Sequence, residues 1–446
     1  MFANKRLWAI ILCAIFALAL GLRLGLAAAF VGLDAPPDAQ ANPDQLDFEA
    51  IAWQVAQGNG FVLDNGEPTA RRAAGAVGTM AVPYALTGRS YAAGRVWLAA
   101  LSSATCLLCV WIGCIGFGRG VGVIAGLALA LYPGHMYYAM HFVSETPFAF
   151  WLALGAALSL HGLRHEWRWR HMLAGAVWAC AILTKPQFVL MVPLVLGILA
   201  LIKIVALCRN TSPRGATASP TTARSNPAHF GYAPALITCL AVAACVAPWI
   251  ARNHAVMHTP GLSTIVGHTL WGSNNEVVLN DPEWRGLWVR TSDLELTLNQ
   301  PLPEGEAAAN DAATGYAIAF ARSHLRDLPG MALSKLRRLI TPWPATTNRA
   351  VRWAEGLAWM IAAPLLLLGS VRWWRRHRAA AYVLVTPIAV TLAVSVVFYG
   401  SVRFRNALAP VLIVFAAAGF DWLLSRIRGH YRSRSVAPLR SAPVTC

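Results

Sequence analysis

The sequence predicts an all-α, polytopic membrane protein of about ten transmembrane helices, with interfacial helices in its first extracytoplasmic loop. Its 446 residues are 57% hydrophobic and only 13% charged, a balance that soluble domains seldom reach because their surfaces need charge. Apolar stretches also recur along the chain, each able to cross about 30 Å of hydrocarbon at about 1.5 Å per residue. They lie near residues 7–30, 92–117, 120–140, 143–162, 171–184, 186–207, 232–251, 353–371, 379–399 and 406–425. The stretch at 171–184 is short, so the prediction is about ten helices within a range of nine to eleven.

The first apolar run follows Lys5 and Arg6 and is too long for the apolar region of a signal peptide. It contains no convincing cleavage site, so we interpret it as an uncleaved first span with the N-terminus in the cytoplasm. Basic segments then fall on the cytoplasmic side, as the positive-inside rule expects. They are Arg119, 164–171, 208–229, 372–378 and the tail from Arg426. Both termini are therefore predicted to be cytoplasmic.

The net charge of +17 does not indicate a nucleic-acid partner. The basic residues stand at the ends of apolar runs and are not gathered into a groove interleaved with aromatic side chains. The charge therefore reports membrane topology.

The predicted domain organisation is a single transmembrane domain over 1–446. Two large segments, 31–91 and 252–350, lie outside the membrane and hold seven and nine acidic residues, together 16 of the 20 in the chain. The segment 208–229 is rich in Arg, Pro, Ser and Thr, which predicts a flexible cytoplasmic loop, and 426–446 is a basic cytoplasmic tail.

No metal site or disulfide framework is predicted. Most of the nine cysteines lie inside apolar runs, where a free Cys behaves as a small hydrophobe. His135 and His141 flank the outer turn that contains Glu145, but their spacing fits no helix-based ligand motif. No cofactor is implied, and a dependence on a divalent metal stays open.

The stretch "ANPDQLDFEAIAWQVAQGNGF" (41–61) predicts an amphipathic helix over 44–57 at the outer membrane interface. Asp44 and Asp47 are three residues apart and share one face of this helix. Taken alone, they have two interpretations. Asp44 can be the N-cap residue and Asp47 a first-turn acid favoured by the helix dipole, or both can carry chemistry.

The same stretch carries the pattern D-x-x-x-[aromatic]-x-x-[Ile/Leu]-Ala, followed by G-x-G-Phe. This pattern resembles the first extracytoplasmic loop of the GT-C membrane glycosyltransferases, in the bacterial family 39 branch related to protein O-mannosyltransferases and aminoarabinose transferases. Further segments are similar to that family and occur in the same order. They are 86–101, 123–154, 183–194, 247–253, 261–275 and 399–419. One departure is the stretch "ARRAAGAVGTMAVPYAL" (70–86), which stands where the family usually has a turn rich in Pro and Tyr.

The resemblance implies an inverting transfer of a sugar from a polyprenyl-phosphate carrier to an acceptor on the outer face of a bacterial inner membrane. The acceptor, whether a protein, a lipid or a cell-envelope glycan, and the sugar are not identified. By the same resemblance Asp44 occupies the position of the catalytic base, with Asp47 as the second candidate. Glu49 and Glu145 are expected to support the site, Glu145 by positioning a loop or pairing with an arginine.

The departing lipid phosphate requires cations near the outer face, where an unpaired Lys or Arg is costly. The candidates are Lys185, Arg252, Arg403, Arg405 and Arg72, with Arg71 beside the last. Each of these side chains can instead extend to lipid headgroups.

Two other classes stay open. A transporter or flippase of a lipid-linked substrate would also use intramembrane arginines, but it has no need of an interfacial helix that carries carboxylates. A catalytically inactive membrane scaffold with the GT-C fold is the other alternative, because the stretch after Phe61 is altered.

Overall fold

The computed structural model describes residues 2–164, 168–197, 200, 232–344, 349–376 and 381–427. The predicted cytoplasmic loop at 208–229 and the tail from 428 onward lie outside the described residues. Within these ranges the chain is helical, and its one extended pairing is a single antiparallel bridge between Val62 and Pro68.

The helices are numbered here in chain order. The N-terminal half contains α1 (Phe2–Phe30), α2 (Asp44–Ala56), α3 (Ala74–Thr87), α4 (Tyr91–Gly116), α5 (Arg119–Ala130), α6 (Pro133–Tyr138), α7 (Glu145–Arg164) and α8 (Arg168–Thr184), followed by a short 3-10 helix at Pro186–Leu190. The C-terminal half contains α9 (Tyr232–Met257), α10 (Val266–Ser273), α11 (Glu276–Asn280), α12 (Thr291–Leu298), α13 (Glu306–Ser323), α14 (Leu328–Ile340), α15 (Arg349–Arg376), α16 (Ala381–Val397), α17 (Val402–Ala407) and α18 (Ala409–Ile427).

Six of the described helices are long and apolar enough to cross a membrane. They are Lys5–Phe30, Tyr91–Gly116, Glu145–Leu163, Ala233–Met257, Arg349–Trp374 and Ala409–Ile427. Shorter apolar helices occupy Arg119–Ala130, Pro186–Gly197 and Val383–Val397. The all-helical, multi-pass class predicted from the sequence is confirmed, whereas the total of about ten spans stays a prediction.

The predicted span at 120–140 is a broken helix. α5 ends at Ala130, and α6 begins at Pro133, which lacks the backbone N–H that a continuous helix would use. Arg23 of α1 is fully buried and donates to Ala130 O at 3.2 Å and Leu129 O at 3.4 Å. These carbonyls lie in the last turn of α5, where a helix leaves carbonyl groups unpaired. Leu129 O also accepts from Tyr132 N at 3.2 Å, and the donors of Arg23 add to this bond and stabilise the break.

Two glycines allow the backbones of α15 and α18 to pack in direct contact. A Cβ atom built on Gly369 would overlap Phe415 O, and one built on Gly419 would overlap Leu365 O. Small residues at helix crossings let backbones approach and gain dispersion contacts where lipid provides no hydrophobic driving force. The helix α18 directly follows α17, and α17 carries Arg403. The crossing therefore fixes the position of the helix next to Arg403 in the chain.

The two outer segments form separate small cores next to the membrane helices. In the first segment, Phe48 and Ile51 of α2 pack against Met80 and Tyr84 of α3. In the second segment, α10 to α14 enclose a core that includes Trp271, Val278, Leu294, Phe320 and Met331. The helix predicted at 44–57 is therefore present, and it is anchored by apolar contacts on one face, whereas its place at the membrane interface stays a prediction.

Candidate active site

Asp44 and Asp47 form the first turn of α2, and neither residue is the helix cap. The N-cap position is Pro43, and no side chain accepts a capping hydrogen bond there. Both carboxylates contact arginines from distant parts of the chain. The structure therefore favours a role in an electrostatic site over capping on a solvated face.

Arg72 joins the two aspartates. Its Nη2 atom lies 2.7 Å from Asp44 Oδ1 and 2.9 Å from Asp47 Oδ2, and its Nε atom lies 3.1 Å from Asp47 Oδ2. The guanidinium also lies 4.8 Å from the centre of the Phe48 ring, so an apolar face holds it in place. Arg71 is more exposed, and its Nη1 atom is 3.8 Å from Asp47 Oδ1.

Arg403 joins Asp44 to Glu145. Its Nη1 atom lies 2.6 Å from Asp44 Oδ2, while its Nε and Nη2 atoms lie 2.5 Å and 3.1 Å from the two oxygens of Glu145. The local sequence orients this side chain because Ser401 is the N-cap of α17 and accepts from Arg403 N at 3.1 Å. A planar guanidinium with several donors suits such a bridge, and an ammonium group could not reproduce it.

Lys185 completes the network. Its Nζ atom lies 2.7 Å from Glu145 Oε1 and 3.1 Å from Ser144 Oγ, and its side chain is only 7% exposed. Lys185 follows the last residue of α8, and Glu145 is the first residue of α7. Three carboxylates and three cations thus alternate from Asp47 through to Lys185, and we call these six residues the charge network.

The local electrostatics keep Asp44 ionised. Burial raises the pKa of Asp44, but Arg403 and Arg72 oppose this effect and outweigh it, so the pKa lies below its usual range. Each oxygen of this carboxylate already accepts a hydrogen bond from an arginine. In this state Asp44 is a weak base, and it gains basicity when one arginine moves to another anion.

A cavity of about 490 Å³ lies beside the charge network. Arg403 forms part of its wall, as does Asn42, two residues before Asp44, so the cavity reaches the first turn of α2. Its other polar and aromatic lining includes Tyr137, Tyr138, Arg338, Trp343, Arg352 and Glu355. A volume in this range suits a small ligand, since ligand pockets commonly measure about 300 to 1,000 Å³.

Two predicted phosphate ligands lie elsewhere. Arg252 donates to Thr69 O at 2.7 Å and to Phe61 O at 2.9 Å, so it holds the chain that leads to Arg72. Arg405 is buried and donates to Thr341 O at 2.6 Å and to Glu355 at 3.3 Å. Of the five predicted cations, the structure brings Arg72, Lys185 and Arg403 together and leaves Arg252 and Arg405 outside the network.

Glu49 also lies apart from the charge network. Its carboxylate accepts two hydrogen bonds from Arg89, at 3.0 Å and 2.7 Å, and its side chain is 3% exposed. This ion pair connects α2 to the turn between α3 and α4. Glu49 therefore fixes the helix that presents Asp44 and does not face the cavity.

Glu306, which no sequence motif indicated, connects the segments 31–91 and 252–350 by hydrogen bonds. It accepts from Thr69 Oγ1 at 2.7 Å, from Ala70 N at 2.9 Å and from the hydroxyl of Thr264. Thr69 and Ala70 precede Arg72 by three and two residues. No sequence signal predicts these contacts, because Glu306 and Thr69 are far apart in the chain.

The described residues contain no group of three His, Cys, Asp or Glu side chains placed to hold a metal ion. His135 is buried, and its Nε2 atom lies 3.4 Å from Ser102 O. His141 is also buried and packs against the Tyr137 ring, with the ring centres 4.6 Å apart.

The fold resembles solved GT-C glycosyltransferases. One is the oligosaccharyltransferase AglB from Archaeoglobus fulgidus, in complex with an inhibitory peptide and a dolichol-phosphate, with a TM-score of 0.54 and 13% sequence identity. The alignment covers 96% of this chain and 52% of AglB, so the chain spans about half the length of that protein. Another is ArnT from Cupriavidus metallidurans bound to undecaprenyl phosphate, with a TM-score of 0.40, 15% identity, and coverage of 95% of this chain and 80% of ArnT.

Part of the sequence also matches a known family. Residues 77–247 match the family model described as dolichyl-phosphate-mannose-protein mannosyltransferase. This part of the chain is therefore similar to a GT-C glycosyltransferase family, and the resemblance predicted from the sequence is confirmed. No curated protein matches the chain by sequence.

Proposed function

We propose that this protein is an inverting glycosyltransferase that moves a sugar from a polyprenyl-phosphate carrier to an acceptor. The site lies on the extracytoplasmic face of a bacterial inner membrane, with both termini in the cytoplasm. The observation that carries this proposal is the charge network, in which Asp44 contacts Arg403 beside a cavity large enough for a sugar. A transferase of this kind needs a carboxylate, cations for a phosphate and space for a small ligand in one place, and these residues provide all three.

In the proposed reaction the acceptor's nucleophilic atom, an oxygen or a nitrogen, attacks the anomeric carbon of the donor sugar. The bond between that carbon and the phosphate oxygen breaks, and its electron pair stays on the polyprenyl phosphate. Asp44 takes the proton that the acceptor loses, and Arg403 and Lys185 stabilise the negative charge that develops on the leaving phosphate. A single displacement of this kind inverts the configuration at the anomeric carbon.

Donor binding itself prepares the base. A phosphate that enters the site competes with Asp44 and Glu145 for the hydrogen-bond donors of Arg403. When Arg403 turns to the phosphate, Asp44 loses one of its two arginine partners, and its pKa rises toward the ordinary value because burial then opposes the charged form. The carboxylate is therefore a weak base without donor and a better one with donor.

The test is transfer from radiolabelled polyprenyl-phosphate mannose and polyprenyl-phosphate glucose in membranes that contain the protein. We expect the wild type to move label out of the lipid fraction and Asp44→Asn to lose at least a hundredfold of this rate. Asp64→Asn is the matched control, because Asp64 lies in the same outer segment, is exposed and stands outside the charge network. Transfer by Asp44→Asn at the wild-type rate would show that Asp44 is not the base.

A binding measurement separates this function from the alternatives. We expect undecaprenyl phosphate to raise the unfolding temperature of the purified wild type, and Arg403→Gln to lose this shift. A transporter would bind the carrier lipid and move it across vesicles without any transfer of label. An inactive scaffold would show neither transfer nor transport, and its binding of the lipid would not depend on Arg403.

A further inference from the structure

We propose that the cavity beside the charge network recognises a second anionic group, separate from the carrier phosphate, through Arg338 and Arg352. The ligand class is a sugar that carries a carboxylate or a phosphate. This inference rests on the proposed function, because it assigns a substrate class to the same site. The anionic sugar can be the one transferred or part of the acceptor, and the experiment below separates these two sources.

The cavity wall carries an excess of positive charge. Its charged side chains are Arg338, Arg352, Arg403 and Glu355. Arg403 is neutralised by Asp44 and Glu145, at 2.6 Å and 2.5 Å. Glu355 is paired with Arg405 at 3.3 Å. The positive charges of Arg338 and Arg352 are left without a carboxylate partner among the residues that the structure describes.

Arg338 and Arg352 also keep hydrogen-bond donors free. Arg338 donates from Nε to Arg285 O at 3.1 Å and from Nη2 to Glu283 O at 2.8 Å. These bonds hold the guanidinium at the wall of the cavity and leave its Nη1 group unused. Arg352 is exposed, and no other described residue hydrogen-bonds to its side chain. A guanidinium presents paired N–H groups that match the oxygens of a carboxylate or a phosphate.

The remaining lining of the cavity suits a sugar ring. Tyr137 and Tyr138 have hydroxyl groups with no hydrogen-bond partner among the described residues, and both side chains border the cavity. Trp343 presents an aromatic ring, which it packs edge-on against Trp353 at 4.7 Å between ring centres. Aromatic faces and hydroxyl groups bind the apolar and polar surfaces of a ligand, and the arginines provide selection by charge.

The experiment measures binding to the purified full-length protein in detergent. The probes are glucuronate, glucose 6-phosphate and glucose, and the readout is the dissociation constant. We expect the wild type to bind each anionic sugar at least tenfold more tightly than glucose, and Arg352→Gln and Arg338→Gln each to lose most of this preference. Arg349→Gln is the matched control, because Arg349 lies one turn earlier on the same helix, is exposed and does not border the cavity.

Two further arms locate the anionic group. If it belongs to the transferred sugar, polyprenyl-phosphate glucuronate will bind more tightly than polyprenyl-phosphate glucose, and Arg352→Gln will abolish the difference. If it belongs to the acceptor, the two donors will bind equally, and glucose 6-phosphate will bind to protein already saturated with undecaprenyl phosphate. Equal binding of glucose and glucuronate by the wild type, or loss of the preference in Arg349→Gln, would overturn the inference.

These outcomes are independent of the transfer assay. A preference for anionic sugars without Asp44-dependent transfer would contradict the proposed function and leave the cavity assignment intact. Transfer that depends on Asp44, together with no such preference, would contradict the cavity assignment alone.

Discussion

At the scale of single residues, the main feature is that two arginines reduce the basicity of Asp44, the candidate base. Asp44 contacts Arg72 at 2.7 Å and Arg403 at 2.6 Å, so both oxygens are occupied. Such pairing stabilises the carboxylate and reduces its affinity for a proton. In the proposed reaction, a donor phosphate that takes over Arg403 couples donor binding to the activation of the base.

The pairing of Asp44 predicts a pH dependence of stability. Its pKa in the folded protein lies below the value of about 3.9 expected in an unfolded chain, because the two arginines outweigh burial. The stabilisation is therefore fully present above about pH 4 and is lost as the pH falls further. We expect the difference in unfolding temperature between the wild type and Asp44→Asn to be constant from pH 7 to 5 and to narrow from pH 4 to 3. A difference that widens on acidification would contradict this pairing.

At the scale of structural elements, the segment 61–72, which we call the strap, places Arg72 over Asp44. Arg252 binds the strap through Phe61 O and Thr69 O, and Glu306 binds it through Thr69 and Ala70 N. Thr69 and Ala70 are buried, so these bonds are shielded from water. Residues of the segment 252–350 thus help to hold Arg72 of the segment 31–91 in place.

Replacement of Glu306 should loosen the strap. Glu306→Ala leaves the buried Ala70 N–H without an acceptor, which costs about 1 to 3 kcal/mol. We expect faster hydrogen exchange at residues 69–72 and a transfer rate lowered about tenfold, with the affinity for undecaprenyl phosphate changed by less than twofold. Glu304→Ala is the control, since Glu304 is exposed and makes none of these contacts. Unchanged exchange at 69–72 in Glu306→Ala would rule out this supporting role.

The crossing of α15 and α18 gives a second prediction at this scale. Gly419→Ala places a methyl group against Leu365 O, and the helices must separate to relieve the overlap. Overpacking of this kind costs about 1 to 3 kcal/mol or more, so we expect a clear fall in the unfolding temperature in detergent. Gly21→Ala in α1 should leave the unfolding temperature unchanged or slightly raised, because nothing lies within 4 Å of the added Cβ. Equal stability of the two variants would argue against a close crossing.

At the scale of the whole molecule, the proposed topology distributes charge by side of the membrane. The segments 31–91 and 252–350 carry seven and nine of the 20 acidic residues, and the proposed topology puts the basic segments at the opposite ends of the spans. The structure brings the two acidic segments into contact through Glu306 and Thr69. This contact requires both segments to lie on the same side of the membrane.

Labelling of single cysteines tests this arrangement in a variant without the nine native cysteines. We expect a membrane-impermeant maleimide added from outside to label Glu67→Cys and Glu304→Cys in intact spheroplasts. Gly120→Cys, at the start of α5, should react only after permeabilisation, because the positive-inside rule places that end in the cytoplasm. Labelling of Gly120→Cys from outside, or protection of Glu304→Cys, would reverse the proposed topology.

Local features of the sequence predicted much of the fold and part of the site. The helix expected at 44–57 is observed at Asp44–Ala56, since apolar spacing and flanking glycines report local geometry. The span expected at 120–140 is instead broken before Pro133, and Arg23, more than 100 residues away, binds the buried carbonyls at the end of α5. For the predicted cations, the energetic cost of an unpaired Lys or Arg at membrane depth showed that each side chain needs an anionic or carbonyl partner. This cost did not identify the partner.

The sequence by itself therefore determined the multi-pass helical class of the protein and the helix that carries Asp44, and it predicted the sidedness of the acidic loops. Hydropathy, positive flanks and residue spacing act over one helix or one loop, and a single chain displays them directly. Only the tertiary structure decided that Arg72, Arg403 and Lys185 join the charge network while Arg252 and Arg405 do not. It also decided which arginines face the cavity without a partner. The physical reason is that a hydrogen bond or an ion pair depends on separations of a few ångströms between atoms, and helix packing alone sets those distances.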